Sequence, residues 1–189
     1  IVPKEMCYAI VQSKYDNKNN LIEKRYYGAD GKPKECSPYH GLAAIVQWKY
    51  DDKGKEIEER YYGADEKLKV LGYAIRQWKY NSNGKITEER YYGADEKLMM
   101  LISGYSMVQY QYDDKGKGYA IEKRYYGPDE KLIVPGTYKN NYAIAQWKYD
   151  DKGNKTEERF CDANQKLIVP IDYGYAIAQW KYDDKSNEI

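Results

Sequence analysis

Six times in 189 residues the chain returns to one phrase, Y-A-I-x-Q-W-K-Y-D or a near copy of it. The copies begin at Tyr8, Ala43, Tyr73, Tyr105, Tyr142 and Tyr175, at spacings of 35, 30, 32, 37 and 33 residues. Each full copy continues into a turn such as DDKG, then EERYYG or EKRYYG, then ADEKL and a linker of variable length. Self-similarity at such a period marks a repeat architecture, in which one small unit cannot bury its own apolar face and stacks on its neighbours. Five units and a partial sixth follow, with boundaries at 1–41, 42–72, 73–104, 105–141, 142–174 and 175–189. The sixth stops where a return strand is due, and the opening IVP recurs at 133–135 and 168–170. With no atypical capping unit at either terminus, the expectation is a segment of a longer array.

Within a unit, YAIRQWKY (73–80) places aromatic and β-branched residues as a strand does. DDKG (51–54) is a hairpin signal, with Asp bonding its own backbone and Gly taking the positive φ of a three-residue loop. IEERYYG (57–63) then reads as the returning strand. A loop at Asp52–Lys53–Gly54 sets Trp48 opposite Glu58, Val46 opposite Arg60 and Ala44 opposite Tyr62. The other face then pairs Lys49 with Ile57, Gln47 with Glu59 and Ile45 with Tyr61. The expected fold is all-β: tandem antiparallel hairpins of about 33 residues, stacked as an elongated ribbon or a β-spiral solenoid. The linkers PKECSPYHG (33–41), VPGTYKNN (134–141) and VPIDYG (169–174) absorb length changes cheaply, and the fourth tip, DDKGKG, is longer by two.

Composition matters here because Leu, Ile, Val and Phe number only 31, a level usually read as disorder. Two facts oppose that reading: 31 basic against 30 acidic residues, and 24 Tyr with 4 Trp. Tyr supplies an apolar ring whose hydroxyl stays wet, so a thin array can be built on it. The balanced charge argues against a nucleic-acid partner, and no apolar run reaches the ~18 residues of a membrane helix.

Catalysis is not expected. The single histidine, His40, lies in a linker, and no P-loop, GxGxxG, HExxH or GxSxG occurs. The EE pairs at 58–59, 88–89 and 157–158 point to opposite faces of a strand and cannot converge; a ladder of partial ion pairs, Glu58/Arg60, Glu88/Arg90 and Glu157/Arg159, is the better account. No cofactor and no metal site is expected; the Asp-rich turns supply too few oxygens for calcium and stabilise the turn instead. The residues that best suit a ligand are aromatic: Trp48, Trp78, Tyr110, Trp147 and Trp180, with Arg60, Arg90, Arg124 and Arg159 on the same expected face. Rings at regular intervals stack on sugars or quaternary ammonium groups, although packing between hairpins is the favoured use of the Trp residues. Trp over Arg also invites a cation–π contact. NKT (154–156) makes Asn154 a glycosylation sequon at a hairpin tip. Cys7 and Cys36 flank the first unit and are a candidate disulfide, with free thiols the favoured state; Cys161 stands where four other units have Tyr and reads as filler.

YQYDDKG (110–116) resembles the tyrosine–aspartate repeat of the rearrangement-hotspot (RHS/YD) family, Y-x-Y-D-x-x-G, through Tyr110, Tyr112, Asp113 and Gly116. In WKYDDKG (48–54, 147–153) Trp replaces the first Tyr, and the unit is longer than is usual there because of YYGADEKL. The aromatic hairpins also look loosely like choline-binding cell-wall repeats. Both resemblances imply stacked hairpins and a secreted or cell-surface location, the first a β-spiral shell or spine. The functional expectation is a non-enzymatic extracellular scaffold, filament or adhesive stalk that associates with itself or with neighbouring repeats. Two alternatives stand beside it: a module binding surface glycan or cell wall through its Trp/Tyr ladder, and the repeat shell of a polymorphic toxin.

Overall fold

A computed structural model describes residues 8–35, 43–113, 118–136 and 141–189. Cys7, Cys36, His40 and Gly116 lie outside the described residues. Each phrase and its continuation become two strands: β1 (Ile10–Tyr15) and β2 (Leu21–Tyr27), β3 (Ile45–Tyr50) and β4 (Glu56–Tyr62), β5 (Ile75–Tyr80) and β6 (Ile86–Tyr92). The series continues with β7 (Met107–Tyr112) and β8 (Ala120–Tyr126), β9 (Ile144–Tyr149) and β10 (Lys155–Cys161), then β11 (Ile177–Gln179). The strands follow chain order, β1 to β11, in one antiparallel sheet, and the described residues contain no helix. The chain divides into two compact units, Ile1–Lys79 with Arg90–Met99 and Tyr80–Glu89 with Met100–Ile189.

The hairpin tips are Asx turns. Asp51 Oδ1 accepts the N–H groups of Lys53 and Lys55, both at 2.9 Å, while Gly54, at φ +79°, donates its N–H to Asp51 O at 3.0 Å. Asp16, Asn81, Asp150 and Asp183 repeat this, each side chain accepting from the backbone two and four residues on. In the fourth hairpin Asp113 N–H bonds Tyr119 O, which leaves the longer tip that the sequence predicts.

The register differs from the expectation by one residue. Tyr50 pairs with Glu56, as a three-residue loop requires, but Ile57 then bulges out and the ladder resumes at Lys49–Glu58. Trp48 therefore faces Glu59, Gln47 faces Arg60, Val46 faces Tyr61 and Ile45 faces Tyr62. The pairings of Trp48 with Glu58 and Val46 with Arg60 do not form. The same shift recurs at Ile22, Ile121 and Thr156. A bulge sets two residues against one, and everything beyond it changes face.

A second turn, absent from the sequence reading, follows each return strand. Gly63 N–H bonds Lys67 O and Lys69 N–H bonds Tyr61 O, so ADEK is a tight reversal closed by a Tyr62–Leu68 bridge. Its left-handed position holds Glu66 (φ 61°), Glu96 (58°), Glu130 (58°) and Gln165 (64°), whereas the first repeat has Gly31 there (φ 73°). A non-glycine residue in this region costs of order 1–2 kcal/mol. The glutamates gain a compensating contact: Glu66 reaches Arg25 of the preceding repeat at 2.8 Å, and Glu96 reaches Arg60 at 3.3 Å.

The segment after this turn returns over the sheet and covers one face. In the first unit Tyr26, Val46, Trp48 and Tyr61 are buried, with Leu71 and Tyr73 packed on them. In the second, Val108, Tyr125, Ala145 and Phe160 are buried beneath Ile133, Ile168 and Tyr175. Cys161, 8% exposed, packs with Ala143, Ile144 and Leu132 as a free thiol, the filler role its position suggests. Burial pushes its pKa up, which keeps it a thiol.

Candidate functional site

Because of the bulge, the residues expected to form one ligand face are divided between two. Trp48 and Trp147 stand opposite Glu59 and Glu158, and Tyr110 opposite Lys123, on the face that the linkers cover. Arg60, Arg124 and Arg159 stand opposite Gln47, Gln109 and Gln146 on the other face. Arg90 holds the equivalent place in β6, and Trp180 follows β11. The expected Trp-over-Arg contact is therefore not open to Arg60, Arg124 and Arg159, which stand on the face away from Trp48 and Trp147. Cations do lie over rings, but from other positions: Arg76 over Trp78 at 4.7 Å, Lys123 over Tyr110 at 5.5 Å and Lys155 over Trp180 at 4.6 Å.

On the aromatic face, Trp48 is 9% exposed and belongs to the core of the first unit. Trp147 donates its indole N–H to Glu158 at 2.6 Å, and Tyr175 donates its hydroxyl to the same carboxylate at 2.8 Å. Tyr73 likewise donates to Glu59 at 2.8 Å. Trp and Glu go together in the sequence at 48/59, 78/89 and 147/158; where Glu is replaced by Lys, Trp is replaced as well, by Tyr at 110/123 and Ser at 13/24. At 147/158 and 110/123 donor–acceptor matching is the reason: the Trp147 indole N–H finds an acceptor in Glu158, whereas the Lys123 ammonium group settles over the Tyr110 ring.

The opposite face carries a ladder of carboxylates, buried at Glu58, Glu88, Glu122 and Glu157 and half-buried at Glu23. Glu58 is 6% exposed and accepts from Arg60 Nε at 2.6 Å, Lys49 Nζ at 2.7 Å and Gln77 Nε2 of the next hairpin at 2.6 Å. Glu23, Glu122 and Glu157 accept in the same way from Arg25 and Gln47, from Arg124 and Gln146, and from Arg159 and Gln179. Glu88 accepts from Gln109 at 2.7 Å. The glutamine is oriented from its other end, where Tyr27 donates to Gln12 Oε1 at 3.0 Å and Tyr92 to Gln77 Oε1 at 2.9 Å. Burial alone would raise the Glu58 pKa, yet the bonds from Arg60, Lys49 and Gln77 outweigh it and hold it at about 2. Bonds from Gln179, Lys148 and Arg159 hold Glu157 at about 2 as well.

Asn154 sits at its tip with Nδ2 donating to Asp150 Oδ2 at 2.8 Å and Ser186 Oγ at 3.1 Å, so a glycan there, which replaces one of the two amide N–H groups, would displace one of these bonds. Among the described residues, no group of three or more His, Cys, Asp or Glu is placed to hold a metal. Two grooves open beside the tips, about 510 Å³ along Trp48 and Tyr50 and about 480 Å³ along Tyr119, Trp147 and Tyr149. The Glu–Arg pairs of this ladder were legible in the recurring E-x-R of the return strand, and Arg60–Glu58 and Arg159–Glu157 form as expected; the glutamine bonds from one hairpin to the next were not foreseen.

No family model matches the chain, and no curated protein matches it. Among solved structures it is similar to the crystal structure of TcdB2-TccC3-TEV, with a TM-score of 0.50 and 16% identity over 95% of this chain. The chain spans 7% of the length of that one. At this identity the likeness shows the fold, a β-rich repeat of stacked hairpins.

Proposed function

We propose that the chain is a non-enzymatic scaffold: stacked hairpins that form part of an extracellular or cell-surface assembly and bind further repeats of their own kind. One observation carries this reading. The same Gln-to-Glu bond joins successive hairpins at five interfaces, Glu23–Gln47, Glu58–Gln77, Glu88–Gln109, Glu122–Gln146 and Glu157–Gln179. Carboxylates that a reaction centre or a ligand would use are thereby committed to holding repeat to repeat.

The fold-level likeness to TcdB2-TccC3-TEV supports an RHS-like repeat and favours, as the second reading, the repeat shell of a polymorphic toxin. Electron micrographs of the full-length protein test the scaffold: ordered assemblies or closed shells are expected, and discrete small particles would overturn it. The glycan-module alternative is read by tryptophan emission during titration with glycans and choline. Indifference is expected; a saturable change lost in Trp78→Ala would replace the scaffold with a binding module.

A further inference from the structure

Five tyrosines in the second compact unit form a line of closely spaced rings. Centroids lie 4.9 Å apart for Tyr105–Tyr125, 5.8 Å for Tyr125–Tyr142, 6.3 Å for Tyr142–Tyr173 and 6.0 Å for Tyr173–Tyr175. At the far end Tyr175 donates its hydroxyl to Glu158 at 2.8 Å. The line runs from Tyr125 and Tyr142, 1% and 4% exposed, to Tyr173, 39% exposed.

Packing alone does not call for phenols in these places. Phe160 holds the strand position of Tyr26, Tyr61, Tyr91 and Tyr125, and it is completely buried. A benzyl ring fills that space without needing a partner, whereas each buried phenol must find one. Phe160 would also break a line of oxidisable rings, because a phenylalanine ring has no O–H to lose and resists one-electron oxidation. Tyr173, from the linker after β10, lies 4.4 Å from Phe160 and touches both Tyr142 and Tyr175. The phenols thus run round the gap.

We propose that this line conducts one-electron oxidation through the unit, from Tyr105 by way of Tyr125 and Tyr142 to Tyr173 and Tyr175. Tyr105 loses an electron to an external one-electron oxidant and its phenolic proton to water. At each hop a tyrosyl radical takes one electron from the next ring and regains one proton from water or a hydrogen-bond partner, while the newly oxidised phenol releases its own proton, Tyr175 to Glu158; the first ring becomes a phenol again and the second becomes the radical. A small thiol at the exposed end gives back one electron and one proton and leaves as a thiyl radical. Burial raises Tyr142 and Tyr175 to about 12, so both keep the proton that moves with the electron at neutral pH.

The test starts the oxidation at the Tyr105 end. A ruthenium polypyridyl photo-oxidant is attached through Ile102→Cys, a position 96% exposed, in the full chain carrying Cys7→Ser, Cys36→Ser and Cys161→Ala. A cobalt(III) complex serves as sacrificial acceptor, and nitroso spin-trap adducts are located by peptide mass spectrometry. Adducts are expected on Tyr173 and Tyr175, severalfold fewer at both in Tyr142→Phe, and severalfold fewer at Tyr175 in Tyr173→Phe. Adding Phe160→Tyr to Tyr173→Phe should restore the Tyr175 adduct, since that ring lies 4.9 Å from Tyr142 and 5.9 Å from Tyr175. Equal Tyr175 yields in the parent and both single variants, or no rescue by Phe160→Tyr, would overturn the proposal. If Tyr142→Phe does not fold, the half-exposed Tyr173 and its rescue still decide.

Discussion

Ser106 shows how much a single atom matters in so thin a structure. Its side chain is completely buried, and its Oγ has no hydrogen-bond partner among the described residues. The same place in the other repeats holds Ala9, Ala44, Ala74, Ala143 and Ala176. Removing a buried, unsatisfied hydroxyl without leaving a cavity should stabilise the fold, so Ser106→Ala is expected to gain about 1 kcal/mol in urea unfolding. A loss of stability would mean that the hydroxyl has a partner after all. The Trp–Glu pair invites a double-mutant cycle. Glu158→Lys alone strips the acceptor from Trp147 and Tyr175 and should cost about 2 kcal/mol or more. Combined with Trp147→Tyr it reproduces the Tyr110–Lys123 arrangement, and a coupling of about 1 kcal/mol in favour of the double variant is expected; strict additivity would refute the matching rule. At this scale the sequence is informative about conformation, as with the positive φ of Gly54. It is silent about burial, so nothing distinguished Ser106 from an exposed serine.

The elements were legible as strands and turns but not in their register. A bulge at Ile22, Ile57, Ile121 or Thr156 carries no glycine to announce it, and one uncounted residue exchanges the two faces. That error placed tryptophans and arginines together when the fold sets them apart. It also concealed the glutamine half of the carboxylate ladder, which has a pH signature. Glu58 and Glu157 titrate at about 2 in the fold against an ordinary 4.5, so between those values the unfolded chain binds more protons. Their stabilisation is complete above pH 4.5 and is lost as pH falls through about 2. Urea midpoints should drop across that window, and the drop should be shallower in Glu58→Gln and Glu157→Gln. Parallel pH curves for parent and variants would show that the bonds from Arg, Lys and Gln do not bind the carboxylate preferentially in its charged form.

For the molecule as a whole, recurrence every 30 to 37 residues was enough to establish hairpin stacking, because no single unit has the Leu, Ile and Val to stand alone. What recurrence does not encode is how the units join, and the ladder now supplies the rule: each hairpin offers a glutamate to the glutamine of the next. If that rule is sufficient, repeats are interchangeable at their interfaces. Deleting 142–174 brings the sixth phrase directly after the fourth repeat. Glu122 would then accept from Gln179 in place of Gln146, and Arg124 would face Ile177 in place of Ile144; Ile177 already holds that position beside Arg159. The shortened chain should keep its strand content by circular dichroism and unfold with a denaturant slope smaller by about one-sixth, in proportion to the surface removed. Losing repeat 5 also removes Tyr142, Phe160 and Tyr173, so Tyr125 must pack on Tyr175, as Phe160 does now. A chain that loses its strands altogether would mean that repeat 5 is not equivalent to its neighbours, and that the stack depends on a particular order of units rather than on their common interface.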